Sequence, residues 1–138
     1  MSNIENQPLQ SPNFYELQSR FDEMRAGTAQ DAATTIAKHL GVTTFPIHLE
    51  NIATNYFGCN VAYVKKQEAD GLLFGPLFGR YDIFLKNDLA NDPVERDMTL
   101  AHEFGHFVHT QLGLRDLATE EEGENYADEF ASYFLYPE

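Results

Sequence analysis

Apolar residues along this chain recur with a helical period at both ends and with a shorter period in the middle, and the pattern divides the chain into elements. Phe14, Leu17, Phe21 and Met24 lie three or four apart behind Ser11-Pro12, an N-cap followed by a first-turn proline, so the spacing predicts a helix to about Arg25 with Gly27 after it. Ala33, Ile36, Ala37 and Leu40 predict a second helix from about Ala29 to a stop at Gly41. Pro46 opens a third, striped by Leu49, Ile52, Ala53 and Phe57 and ended by Gly58. From Cys59 the period changes. Val61-Ala62-Tyr63-Val64 reads as a strand, and Gly71-Leu72-Leu73-Phe74 and Arg80-Tyr81-Asp82-Ile83-Phe84-Leu85 as two more, with the breaker pair Gly75-Pro76 as the turn between them.

Helical spacing returns at Asp92-Pro93-Val94-Glu95, which joins an N-cap, a first-position proline and a glutamate three residues past the cap. Val94, Met98, Ala101, Gly105, Val108 and Leu112 form its buried stripe as far as Gly113. Thr119-Glu120-Glu121-Glu122 is a second capping box, and Tyr126, Ala127, Phe130, Ala131 and Phe134 carry a last helix toward Pro137. The predicted fold is α+β: helices packed on a small, mainly antiparallel three-stranded sheet. Residues 1–10 are polar and unpatterned and are expected to be a disordered tail, which leaves 11–138 as a single domain.

Charge and cysteine content narrow the partners. A net charge of −13 argues against a grip on a phosphate backbone, where binding relies on Lys and Arg, so no direct nucleic-acid contact is expected. Glu120, Glu121, Glu122 and Glu124 either form a solvated surface or favour a basic partner such as a DNA-binding protein. No apolar run approaches the roughly 20 residues of a membrane span. The start lacks the basic region and apolar core of a secretory signal, so the default expectation is the cytoplasm. Cys59 is the single cysteine and cannot close an internal disulfide or build a thiolate zinc site. A metal would have to be held by histidines and carboxylates.

The helix after Pro93 carries such a set. His102-Glu103-Phe104-Gly105-His106 places two imidazoles one turn apart on one face, along the margin of the buried stripe. Glu103, one residue round, is placed to act as a base toward a water at the metal. A catalytic site needs a third ligand. His109 lies about two turns, roughly 10 Å, beyond His102 on a straight helix, too far to share one ion, and is expected to be exposed or on the substrate side. The metzincin solution, a glycine turn after the second histidine and a further histidine six residues on, fails because His109 and Leu112 stand there. Glu124, eighteen residues after His106, could complete a His-His-Glu set, and Asp128 one turn later could orient a ligand histidine. Acidic residues also suit a helix N-terminus through its dipole, so spacing alone leaves Glu124 open.

Two segments resemble the ImmA/IrrE family of zinc metallopeptidases, which are gluzincin-like. Thr99-Leu100-Ala101-His102-Glu103-Phe104-Gly105-His106-Phe107 is similar to the family's zinc helix, and Glu124-Asn125-Tyr126-Ala127-Asp128-Glu129-Phe130-Ala131, ending in Leu135-Tyr136-Pro137, is similar to its downstream signature. The resemblance implies a zincin-like active-site helix, Zn²⁺ held by His102, His106 and Glu124, Glu103 as general base, and proteolysis as the reaction. It also implies a protein substrate, typically a helix-turn-helix repressor whose cleavage releases genes under stress or on mobile-element induction. Members often continue past the last proline or carry a fused DNA-binding domain; a compact peptidase domain is the expectation here. The alternatives are a non-catalytic zinc-containing module that regulates a partner by contact, and a toxin-antitoxin component.

Overall fold

The computed structural model describes residues 20–40, 49–78 and 80–136. The expected tail, the caps at Ser11 and Gly41, the opening at Pro46 and the end at Pro137 lie outside these. Within them the order is α1 (Phe21–Ala26), α2 (Ala29–Leu40), α3 (Leu49–Asn51) continued by a π-helical turn over Ile52–Tyr56, β1 (Asn60–Val64), β2 (Gly71–Leu77), β3 (Arg80–Lys86), α4 (Pro93–Gln111) and α5 (Glu120–Leu135). Short 3₁₀ turns lie at Asn87–Asn91 and Arg115–Leu117.

Local chemistry sets the helix ends. Asp92 accepts a bond from the Glu95 N–H at 3.3 Å at the start of α4. The Thr119 hydroxyl accepts from Glu122 N–H while the Glu122 carboxylate accepts from Thr119 N–H, the reciprocal box that opens α5. Gly113 takes φ 77 just past α4, in the left-handed region that suits glycine. The last carbonyls of α4 are met from a distant element: Arg25 of α1 donates to the Leu112 carbonyl at 2.7 Å.

The sheet has the order β1-β3-β2 and is mixed. β2 pairs antiparallel with β3, and β1 pairs parallel with it, Asn60 opposite Asp82 through Val64 opposite Lys86. A mainly antiparallel sheet is expected from the sequence, and the parallel β1–β3 pair is where the structure departs from it. Residues 65–70 form a connection long enough to skip one strand position, and β3 then enters the gap between β1 and β2. The skip is held in place by Lys86 N–H donating to the Asp70 carbonyl at 2.8 Å and by Gln67 donating to the carbonyls of Ala69 and Phe84. Gly75-Pro76 is not the turn either. It lies inside β2, where the register shifts between Phe74 and Leu77, and the chain reverses past Phe78. β2 is an edge strand, so a proline there costs no ladder bond.

β3 alternates strictly, turning Tyr81, Ile83 and Leu85 into the core. Those side chains meet α4, which lies across the sheet with α5 packed on its other side and α2 against α5. Phe57, Phe104, Phe107, Phe130 and Phe134 fill the middle, all fully buried. Phe104 contacts four of these rings and sets the rotation of α4 about its axis. Val94, expected in the buried stripe, is 65% exposed, because the first turn of α4 projects beyond the sheet. Among the described residues, no helix is long and apolar enough to cross a membrane.

Candidate metal centre

The rotation of α4 that buries Leu100, Ala101, Phe104, Phe107 and Val108 leaves His102 and His106 half-buried at the margin of the core. α5 comes close to α4 at Gly105, where an added Cβ would lie 3.1 Å from Ala127 Cα and from Phe130 Cβ. That approach brings the first turns of α5 over the two histidines. His106 Nε2 lies 2.8 Å from Glu124 Oε2, His102 Nε2 3.1 Å from Glu124 Oε1, and the two Nε2 atoms 3.2 Å apart. His102 Nδ1 donates to Asp128 Oδ1 at 2.7 Å. The structure thus brings together His102, Glu103, His106, Glu124 and Asp128 and separates His109 from the ligand cluster.

The donor set fits a divalent metal on two counts. Ligand atoms of His102, His106 and Glu124 lie within 4.8 Å of one another and could hold an ion between them. Their close separations are near the edge of about 3.3 Å expected for a tetrahedron with bonds of about 2.0–2.1 Å. Because His102 donates its Nδ1–H to Asp128, a neutral His102 turns the Nε2 lone pair toward Glu124. Two such acceptors repel, and either a metal ion between them or a proton on the ring relieves the repulsion. The centre opens to solvent on the α5 side, where the side chains of Glu124 and Asp128 are 54% and 73% exposed.

Glu103 points the other way, toward the sheet, and is buried at 7% exposure. Burial pushes its carboxyl up to about 7, and the charge of Glu124 adds to the rise; His102 and the Leu73 backbone N–H pull it down. A carboxyl balanced near neutrality can accept and release a proton. Burial holds His106 below the ordinary histidine range in the metal-free chain, against the pull of Glu124. Of the two places expected for His109, exposed or on the substrate side, the structure gives the second: it is buried, at 5% exposure, and lines the cleft at the centre. Its ring packs on Tyr126 at 4.6 Å between centroids, and burial lowers its pKa, with His106 and Arg115 acting in the same direction.

These residues line an open cleft of about 960 Å³ between the β2 edge and the start of α5. Gly71, Leu72 and Leu73 form one wall, Thr119, Glu120 and Gly123 the other, and His109 and Arg115 stand at one end. Spacing within one helix revealed the His-Glu-x-x-His face, whereas which of the three strands borders the cleft depends on long-range packing.

Two helix-borne imidazoles, a carboxylate from the following helix and a buried glutamate beside them form the kind of site that metallopeptidases use. The chain belongs to a peptidase family: residues 54–138 match the model of peptidase family M78, described as the IrrE N-terminal-like domain. The match spans the sheet, both site helices and every residue of the centre. Membership points to a metallopeptidase-type function. No curated protein matches the chain.

Proposed function

We propose that this chain is a zinc-dependent metalloendopeptidase that hydrolyses a peptide bond in a protein substrate. The observation that carries the reading is the convergence of His102, His106 and Glu124 on one point with buried Glu103 beside it. His102 and His106 supply neutral imidazole nitrogens, and the Asp128 carboxylate fixes the His102 tautomer so that Nε2 faces inward. Zinc bound there would supply Lewis acidity toward the scissile carbonyl and make a water more acidic. Glu103 accepts the proton of the attacking water and passes it to the departing amine, a transfer suited to a carboxyl raised by burial. The open cleft accepts an extended segment of chain, and the family resemblance suggests a helix-turn-helix repressor as its source. The exposed acidic side chains of Glu120, Glu121, Glu122 and Glu124 beside the cleft favour a substrate with a basic surface, as DNA-binding proteins have.

The test is to incubate the zinc-loaded protein with a repressor encoded beside it and follow both masses with and without a chelator. Cleavage is expected from the native protein and is lost on chelation. Glu103→Gln should keep stoichiometric metal and lose about 10²–10⁴-fold in rate, the usual worth of a general base. Glu124→Ala should lose metal. Undiminished cleavage by Glu103→Gln would falsify the mechanism, and a repressor bound but never cut would favour control by contact.

A further inference from the structure

We propose that Gly71, the first residue of β2, is a positioning residue for Glu103, because the strand backbone lies so close to the base that a side chain at 71 would displace it. The inference rests on the reading of Glu103 as general base. A Cβ placed on Gly71 would stand 2.6 Å from Thr99 Cγ2, 2.9 Å from Glu103 Cγ and 3.0 Å from Glu103 Oε2. Thr99 and Glu103 are four residues apart on α4, so both face the same strand. Neither close atom yields easily. Thr99 is branched at Cβ, which restricts its rotamers, and Glu103 Cγ is next to the backbone, so it moves only if χ1 changes. Gly71 is absent from the residues with positive φ, and its requirement is therefore one of space alone.

The ladder phase shows what the close approach accomplishes. Lys86 N–H donates to the Asp70 carbonyl, so Asp70 is a hydrogen-bonded partner of Lys86 and the bonded positions alternate along β2. Gly71 and Leu73 fall between them and turn their N–H groups to the open edge. There the Leu73 N–H faces the side on which the Glu103 carboxylate lies. A strand edge that would otherwise be unpaired is thus partly occupied by the base itself, and it is the missing side chain of Gly71 that lets it lie there.

Gly71→Ala, Thr99→Ser and the double variant separate positioning from packing. Gly71→Ala should retain equimolar zinc, keep KM within about twofold and lose about 10²-fold in kcat, as a misplaced catalytic group does. In the double variant Ser at 99 removes the 2.6 Å contact, so melting temperature recovers while kcat stays low. Recovery of both would overturn the proposal and leave Gly71 a packing residue. A readout free of turnover is the Leu73 amide in a ¹⁵N-labelled protein. Its resonance should move upfield and exchange faster with solvent in Glu103→Ala and, to a similar extent, in the Gly71→Ala/Thr99→Ser protein. An unchanged Leu73 amide in either variant overturns the proposal even if Gly71→Ala alone fails to fold. If the native protein cuts nothing while the amide moves as expected, the close approach stands and the proposed reaction falls.

Discussion

At the scale of single residues, the two carboxylates that flank the candidate ligand set, Glu103 and Asp128, are set apart by burial. Glu103 is buried against the sheet, and its carboxyl is raised to about 7; Asp128 is largely exposed and touches the centre only through the outer nitrogen of His102. Asp128 therefore acts on orientation. Asp128→Ala should weaken zinc binding by about 10–100-fold, the usual cost of losing an outer partner of a ligand histidine, without lowering the melting temperature of the metal-free chain. Competition with a chromophoric chelator measures the first and calorimetry the second; unchanged affinity would remove Asp128 from the site. That Asp128 could orient a ligand histidine was legible from its place one turn after Glu124, but that the histidine is His102 was not. Nor was the burial of His109. Its position on α4 is the same in either reading, and only the ring of Tyr126, from another helix, decides that it is covered.

Between elements, the distance separating α4 from α5 decides whether Glu124 reaches the histidines. Gly105 is the contact point, and the atoms that a methyl there would meet, Ala127 Cα, Ala127 O at 3.2 Å and Phe130 Cβ, belong to backbone or lie next to it. Gly105→Ala gains about 1 kcal/mol of helix propensity and costs about 1–3 kcal/mol in overpacking. Because α5 must shift to make room, the prediction is a lower melting temperature together with weaker zinc binding. Gly123→Ala is the contrast. Its nearest neighbour would be His109 Cε1 at 3.8 Å, an ordinary contact, so the same change in α5 should stabilise by about 0.5–1 kcal/mol. If both alanines raise the melting temperature, α5 does not rest on Gly105. The ends of both helices were readable from Asp92 and Thr119, since a cap is decided within four residues. The parallel pairing of β1 was not, because residues 65–70 permit either neighbour and the choice falls to register with β3. Gly75-Pro76 looked like a turn for the same reason: whether a proline breaks a strand depends on whether that strand has a free edge.

For the whole molecule, a metal held at this centre would link binding to folding. Any ligand that binds the native chain alone stabilises it by RT ln(1 + [L]/Kd). Cys59 offers a reporter: it is 2% exposed, and burial with the nearby charge of Asp82 pushes its thiol up to about 12. It should resist alkylation until the core opens. Free zinc at about 100 times its Kd should then slow labelling of Cys59 by about 100-fold under conditions where opening is at equilibrium. Labelling that ignores zinc would mean that the core opens without releasing the ion. The ligand cluster lies wholly within residues 102–124, on two neighbouring helices joined by a short connection. The approach of Gly71 to Glu103 joins segments more than thirty residues apart and runs between the sheet and a helix, not within one helical hairpin. A chain emerging at about 5–20 residues per second has β2 in hand for seconds before Glu124 exists. The two parts of the centre are therefore separable: the candidate ligand set belongs to a local hairpin of helices, and the base takes its aim from the edge of the sheet.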